Sequence, residues 1–231
     1  MTPARSPANA PRQRPRLLAA LGLLVLAALM WSGVAPYDRG TWLMEVAPVL
    51  IVAPVLLATW RRYPLSTLLY GLIALHALVL ILGGAYTYAR VPLGFWLQDI
   101  FHLGRNPYDK IGHFMQGLVP AMAAREVLLQ RGYLSSRRMA AFLSVCVAMA
   151  ISAIYELIEW GAALALGQGA DEFLGTQGDV WDTQSDMFLA LIGAVVAVTV
   201  LRRWHERGWG CWLIPGKPTL KRLNKRNFYN K

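Results

Sequence analysis

The sequence predicts an all-α, polytopic membrane protein: a bundle of about six membrane-crossing helices with both termini in the cytoplasm. Three observations predict it. Hydrophobic residues make up 56% of the 231 residues, and mean hydropathy is +0.38, beyond the apolar share of an ordinary soluble domain. Apolar runs near the ~20 residues that cross hydrocarbon recur along the whole chain. The basic residues are also unevenly distributed. With the N-terminus inside, 19 of the 23 Lys and Arg fall on the cytoplasmic side, leaving Arg39, Arg90, Arg105 and Lys110 outside. Short cytoplasmic loops of membrane proteins carry this excess. The net charge of +10 thus reports topology, not a nucleic-acid partner.

Residues 1–16, MTPARSPANAPRQRPR, are rich in Pro and Arg without apolar periodicity and predict a disordered cytoplasmic tail. The first span, Leu17–Ala35, is expected to remain as a helix, because WSGVAPYD contains no A-x-A cleavage site and its small residue Ala35 is followed at once by Pro36. The second span, Trp42–Trp60, contains Pro48 and Pro54, each of which removes an amide donor from a helix. Leu65–Tyr86 is the third, and Trp or Tyr residues mark several boundaries, as interfacial anchors do. The aromatic outside loop, residues 88–109, is expected to lie on the membrane surface. Spans four to six are Ile111–Leu129, Met139–Leu166 and Met187–Leu201, with a Gly- and acid-rich loop at 167–181. From residue 204 the chain reads as a second basic cytoplasmic tail, drawn to anionic lipid by ~1 kcal/mol per basic residue near such a surface. Cys146 and Cys211 form no C-x-x-C and suggest neither a disulfide framework nor a thiolate metal site.

Topology gathers scattered polar residues at one depth. Asp109 and His113 stand at the outer start of the fourth span, one turn apart on one face. Counting from Met139 at ~1.5 Å per residue, Glu156 lies ~25 Å and Glu159 ~30 Å along the fifth span, in its outer third. Asp182 and Asp186 head the sixth. Charged groups within spans are costly, by ~2.5–3.5 kcal/mol on insertion scales, and turn to a bundle interior or wet cavity. The expected metal-ligating set is Glu156, Glu159, Asp182 and Asp186. Mg²⁺, Mn²⁺ or Ca²⁺ suits the carboxylates, and a His/carboxylate zinc site is the alternative. His113, oriented by Asp109 or Lys110, is the expected acid–base residue. Lys110 also stands ready to neutralise a carboxylate, with Arg39, Arg90 and Arg105 available from loops. The plainer readings are a capping box in TQSD (Thr183–Asp186), a loop or capping role for Asp179 and Asp182, and buried hydrogen bonding for His76. Glu45 is read as snorkelling outward from the second span.

DKIGHF, YELIEW and GDVWDTQSDMFLALIGA, in that order between apolar helices, resemble the YjdF family of bacterial inner-membrane proteins over roughly Trp31–Leu201. That resemblance implies a multi-pass protein of the cytoplasmic membrane. A more distant similarity is to the VanZ-like family, associated with resistance to the glycopeptide teicoplanin. Its D-K-x-x-H-F is matched by Asp109, Lys110, His113 and Phe114; Glu156 and Asp182 match its later acids. Glu159 and Asp186 stand where that pattern has Gln and Asn, so the site here is more acidic. Three functions follow from the residues: an accessory or structural envelope protein, a metal-dependent enzyme acting on a lipid-linked or envelope substrate, and an ion- or proton-coupled transporter. No G-x-S-x-G, H-E-x-x-H or P-loop is present, nor a repeat suggesting inverted transporter halves.

Overall fold

The computed structural model describes residues 15–166 and 177–207. Expectations for residues 1–14, for the loop at 167–176 and for the tail at 208–231, Cys211 included, lie outside them. The described residues form eight helices: α1 (Pro15–Val34), α2 (Arg39–Thr59), α3 (Thr67–Tyr86), α4 (Pro92–Phe101), α5 (Tyr108–Gln130), α6 (Arg137–Leu166), α7 (Asp182–Thr199) and α8 (Arg202–Arg207). The chain is all-α and polytopic, as its apolar runs predict. Five helices, α1, α2, α3, α6 and α7, are long and apolar enough to cross a membrane. The sixth expected span, α5, is as long at 23 residues but is charged near both ends.

Local chemistry sets the element boundaries. Asp38 caps α2 by accepting the Thr41 amide at 2.7 Å, and that backbone hydrogen bond holds its carboxyl below the ordinary aspartate range. Pro48 and Pro54 are accommodated inside α2 without ending it. Ser66 caps α3 through Leu69, and α3 stops where Thr87 turns left-handed at φ 55°, followed by Tyr88 at φ 45°. Residues 88–109, expected as an aromatic loop, contain the helix α4. Pro92 opens α4 with φ already set for a helix, and Leu93, Phe95, Trp96 and Ile100 are exposed along it. At the head of α7 the capping box does not form. Trp181 is the N-cap without a side-chain bond, because Asp186 is turned to Lys110.

Helix α5 is the axis of the bundle: it packs on α7, α6 and α3, while α1 and α2 complete the other side of α3. Twelve of its residues are buried, including Asp109's neighbours Tyr108, Gly112 and His113 and, at the far end, Arg125, Glu126 and Gln130. Its apolar middle meets Leu69, Ala148, Ala194 and Ala197 in one cluster. The α5–α7 seam is closed to backbone contact: a Cβ on Gly117 would fall on the Ala190 carbonyl, and one on Gly193 on the Phe114 carbonyl. Small residues permit such approach where lipid, rather than water, surrounds the helices.

The chain direction places the N-termini of α5 and α7 and the C-terminus of α6 at one end, rich in acids. The other end is fastened by a polar network around Glu126, which is fully buried. Its carboxylate accepts the Ser66 amide at 2.6 Å, the Ser66 hydroxyl at 2.7 Å and the Gln130 amide at 2.8 Å, and it meets His205 Nε2 at 2.6 Å. Beside it, Glu206 pairs with buried Arg125 and with Arg137. Burial works against the Glu206 charge, but the bonds from Arg125 and Arg137 prevail and keep its carboxyl below the ordinary glutamate range. Helix α8 is thereby pinned to α5 and α6.

Candidate functional site

At the acidic end α5, α6 and α7 bring together most of the residues singled out in the sequence. His113 is the hub, buried on the first turns of α5. Its Nε2 lies 3.3 Å from Asp109 Oδ1 and 3.9 Å from Asp186 Oδ2. Its Nδ1 lies 3.1 Å from Gln116 Oε1 and 3.6 Å from Glu156 Oε1. Asp109 and His113 meet because i, i+4 residues share a helix face. Glu156 arrives because α6 runs in the opposite direction and has climbed to the same level.

A second group of contacts joins α5 to α7. Lys110 Nζ reaches Asp186 Oδ1 at 2.6 Å, Asp182 Oδ1 at 2.8 Å and Ser185 Oγ at 2.6 Å. Arg105, from the loop before α5, meets the same Asp182 oxygen at 2.5 Å and Asp179 at 3.1 Å. Burial opposes the charge on Arg105, yet the hydrogen bond to Asp182 and the surrounding aspartates outweigh it and raise its pKa above the ordinary value. Asp179 also accepts the Trp181 amide at 2.9 Å, the loop-acid role the plainer reading gave it. Of the other loop cations, Arg39 bonds the Val34 carbonyl and Arg90 stacks over Tyr37, 4.2 Å from the ring centre.

The expected metal set is therefore divided. Asp109, His113 and Asp186 each offer a ligand atom, all within 4.8 Å of one another. Asp182 is committed to two cations. Glu159 is half-buried and lies within electrostatic reach of His113, Glu45 and Glu156, but outside that trio. Glu156 Oε1 is buried and finds no hydrogen-bond partner among the described residues, although Thr183 faces the same carboxylate. Donors ~2.1 Å from a tetrahedral ion stand ~3.4 Å apart; the His113–Asp109 pair at 3.3 Å has that spacing, and Asp186, 3.9 Å from His113, would move inward to complete it.

Several members were not assigned to this place from the sequence. Glu45 of α2 is buried rather than snorkelling, because Tyr155 donates to its Oε2 at 2.9 Å and Tyr88 faces the same carboxylate. His76 Nε2 is buried with no partner among the described residues, not hydrogen-bonded as expected. Ser185 and Gln116 complete the surroundings, beside Arg105, the loop cation that the sequence offered for neutralising a carboxylate. No spacing in the chain announces Glu45, which is brought in by tertiary packing. Seven acids, Glu45, Asp109, Glu156, Glu159, Asp179, Asp182 and Asp186, gather at this end with two fixed cations, Arg105 and Lys110, paired to Asp179, Asp182 and Asp186, so acid is in clear excess.

The fold and this centre define a class: a multi-pass helical membrane protein with an acid-rich, histidine-centred site enclosed at one end of its bundle. Within that class, the chain belongs to the family described as "Predicted membrane protein (DUF2238)", whose model matches residues 17–207. It is similar to the inner membrane protein YjdF of Escherichia coli (strain K12), with 60% identity over 194 residues, covering 84% of this chain and 93% of that protein. No solved structure matches it. The chain is a multi-pass protein of the bacterial inner membrane, and the lipid bilayer is its environment.

Proposed function

We propose that this protein holds a divalent cation at the outer face of the inner membrane and uses it on an envelope or lipid-linked substrate. The observation that carries the reading is the Asp109–His113–Asp186 trio, whose ligand atoms lie within 4.8 Å of one another in a centre with an excess of acid that a bound cation would offset. Asp109, His113 and Asp186 are the ligands, and Glu156, 3.6 Å from Nδ1 on the other side of the His113 ring, supports the ring's orientation. One nitrogen and several carboxylate oxygens suit Zn²⁺ or Mn²⁺. Such an ion, when bound, polarises an oxygen of the substrate or lowers the pKa of a bound water. Lys110 holds Asp182 and Asp186 in place, and His113 is the acid–base group in the enzyme reading.

The transport alternative is less well supported. The apolar cluster of Leu69, Met115, Leu118, Val119 and Met122 with Ala148, Ala194 and Ala197 occupies the levels between His113 and Glu126. The accessory alternative draws on the Lys110 and Arg105 ion pairs, which tie the helices together without any ion. Metal content separates the readings. Reconstituted with Mn²⁺ or Zn²⁺ in detergent, the wild type is expected to keep about one ion per chain through desalting. Glu156→Gln and Asp186→Asn should each lose at least about tenfold in affinity, as removal of a ligand or its close support does. Absence of bound metal in the wild type, with native melting of both variants, would overturn the metal reading, whereas loss of thermal stability in the variants without any metal difference would make the centre structural.

The orientation belongs to the same proposal: both termini cytoplasmic, with tails 1–16 and 204–231 flanking a membrane domain 17–203 and the basic tail drawn to anionic lipid. Its support is the charge bias. A reporter fused after Arg207 should be active in the cytoplasm, and one inserted within residues 167–177 outside it. The reverse result would invert the site to the cytoplasmic face.

A further inference from the structure

The end of the bundle opposite the acidic centre has the reverse charge. Its acids among the described residues are Glu126 and Glu206, and both are taken up. Glu126 is bonded by Ser66, Gln130 and His205, and Glu206 by Arg125 and Arg137. Arg61, Arg62, Arg138, Arg202 and Arg203 stand exposed there. The charge this end turns outward is therefore positive.

Basic loops are ordinary in a membrane protein; the arrangement around Tyr63 is not. Arg131, at the end of α5, lies over the Tyr63 ring at 4.0 Å from its centre, and Arg62 over the same ring at 5.4 Å. Arg131 also donates to the Arg62 carbonyl at 3.3 Å, so the turn after α2 and the end of α5 are gathered on one aromatic side chain. Arg61 stacks on the adjoining Trp60 at 5.2 Å. Stacking takes the face of a guanidinium and leaves its N–H edge to bond another group. No acid pairs with Arg61 or Arg62 among the described residues. Beside the ring, Tyr63, Leu65, Val127 and Tyr133 edge a cleft of about 100 Å³, with fully buried Glu126 behind it. Its rim is apolar and aromatic, which suits hydrocarbon better than a free ion. Trp60, Tyr63 and Tyr133 flank the ends of the long helices, where such rings sit at head-group level.

We propose that Arg62 and Arg131, presented on Tyr63, receive the phosphate of an anionic phospholipid, with Arg61 adding charge and the cleft taking the start of an acyl chain. Arginine forks match phosphate oxygens, and basic pockets between spanning helices are where anionic head groups dock. The site is separate from the acidic centre and stands whether or not that centre holds a cation. In the orientation proposed above, the lipid belongs to the inner leaflet. Bound there, it bridges the α2–α3 turn and the end of α5 and stabilises the bundle, as any ligand of the folded state does.

The test uses purified full-length protein in neutral detergent, titrated with phosphatidylglycerol, phosphatidylcholine or glycerol phosphate. Bound lipid is counted by native mass spectrometry, and each melting midpoint is compared with that of the same variant without lipid. Phosphatidylglycerol is expected to raise the midpoint saturably and to bind at least about tenfold more tightly than phosphatidylcholine, the scale that two basic residues near an anionic surface supply. Arg62→Gln with Arg131→Gln should erase that preference. Arg138→Gln with Arg203→Gln, which removes as much charge from the same end, should keep it. Tyr63→Leu leaves every charge in place but removes the shared ring, and should lose most of the preference; Tyr63→Phe should retain it. Equal losses from the two arginine pairs, or full retention by Tyr63→Leu, would reduce the site to a diffuse positive surface and overturn the proposal. Equal binding of phosphatidylcholine would overturn the anionic head group. Stabilisation by glycerol phosphate equal to that by phosphatidylglycerol would make the ligand a free phosphate and overturn the lipid.

Discussion

Replacing Glu126 with alanine is expected to lower the thermal midpoint of the detergent-solubilised protein by about 10 °C, given ~2–4 °C per kcal/mol for a chain of this size. Its carboxylate is the shared acceptor for Ser66, Gln130 and His205. Deleting it strands several buried polar groups at once, and breaking such an arrangement costs about 3–5 kcal/mol. Glu126→Gln keeps the size and one acceptor oxygen, so its loss should be clearly smaller. The damage should be local in kind: α8 loses its anchor, so a protease site placed after Arg207 should be cut faster, while metal at the distant acidic centre is retained. A midpoint within a degree of wild type for the alanine variant would show that the network does not hold α8.

The second large effect belongs to the α5–α7 seam. Gly117→Ala adds only a methyl group, but that carbon would fall on the Ala190 carbonyl, part of a helix backbone that cannot turn aside. We expect at least about 3 kcal/mol of destabilisation, the upper range of overpacking effects, together with loss of metal, because the seam sets the distance from Asp109 and His113 to Asp186. Gly161→Ala provides the contrast. Nothing lies within 4 Å of a Cβ there, and in a helix interior alanine is favoured over glycine by roughly 0.5–1 kcal/mol. Opposite signs for the same substitution, read by melting in one detergent, check the packing directly. If Gly117→Ala melts as high as Gly161→Ala, the two helices are not in backbone contact.

Much of this architecture is legible in the chain because lipid imposes a length on every crossing segment. Leu65–Tyr86 and Met139–Leu166 fall within two residues of the helices that form. Glu156 is legible as level with His113 for a related reason: helix rise is constant, so a residue number becomes a height. Polar pairing was harder to see. Asp182 reads as a metal ligand by its height, and in the fold one of its oxygens receives both Arg105 and Lys110, a pairing between segments more than seventy residues apart. Arg125 and Glu126, side by side near the end of an apolar run, carry no motif that marks them as a network. Their roles appear only when α8 folds back to bring His205 and Glu206, more than seventy residues later in the chain, against them. Glu45 is hidden for the same reason, its partner Tyr155 being 110 residues away. Helix α7 starts at Asp182, before the apolar run that begins at Met187, because its first turn is occupied by the polar residues Asp182 to Ser185.

One dimension of α5 bears on the membrane itself. From His113 to Glu126 the helix advances about 20 Å, well short of the ~30 Å thickness of a typical hydrocarbon core. Both polar centres therefore cannot sit at head-group level at once in a flat bilayer of that thickness. Either the lipid thins around α5, at a modest cost for each ångström of mismatch, or one centre is submerged. Bilayer thickness thus becomes a variable that sets how wet the acidic centre is, and lipids of different chain length would tune it without any change in the protein.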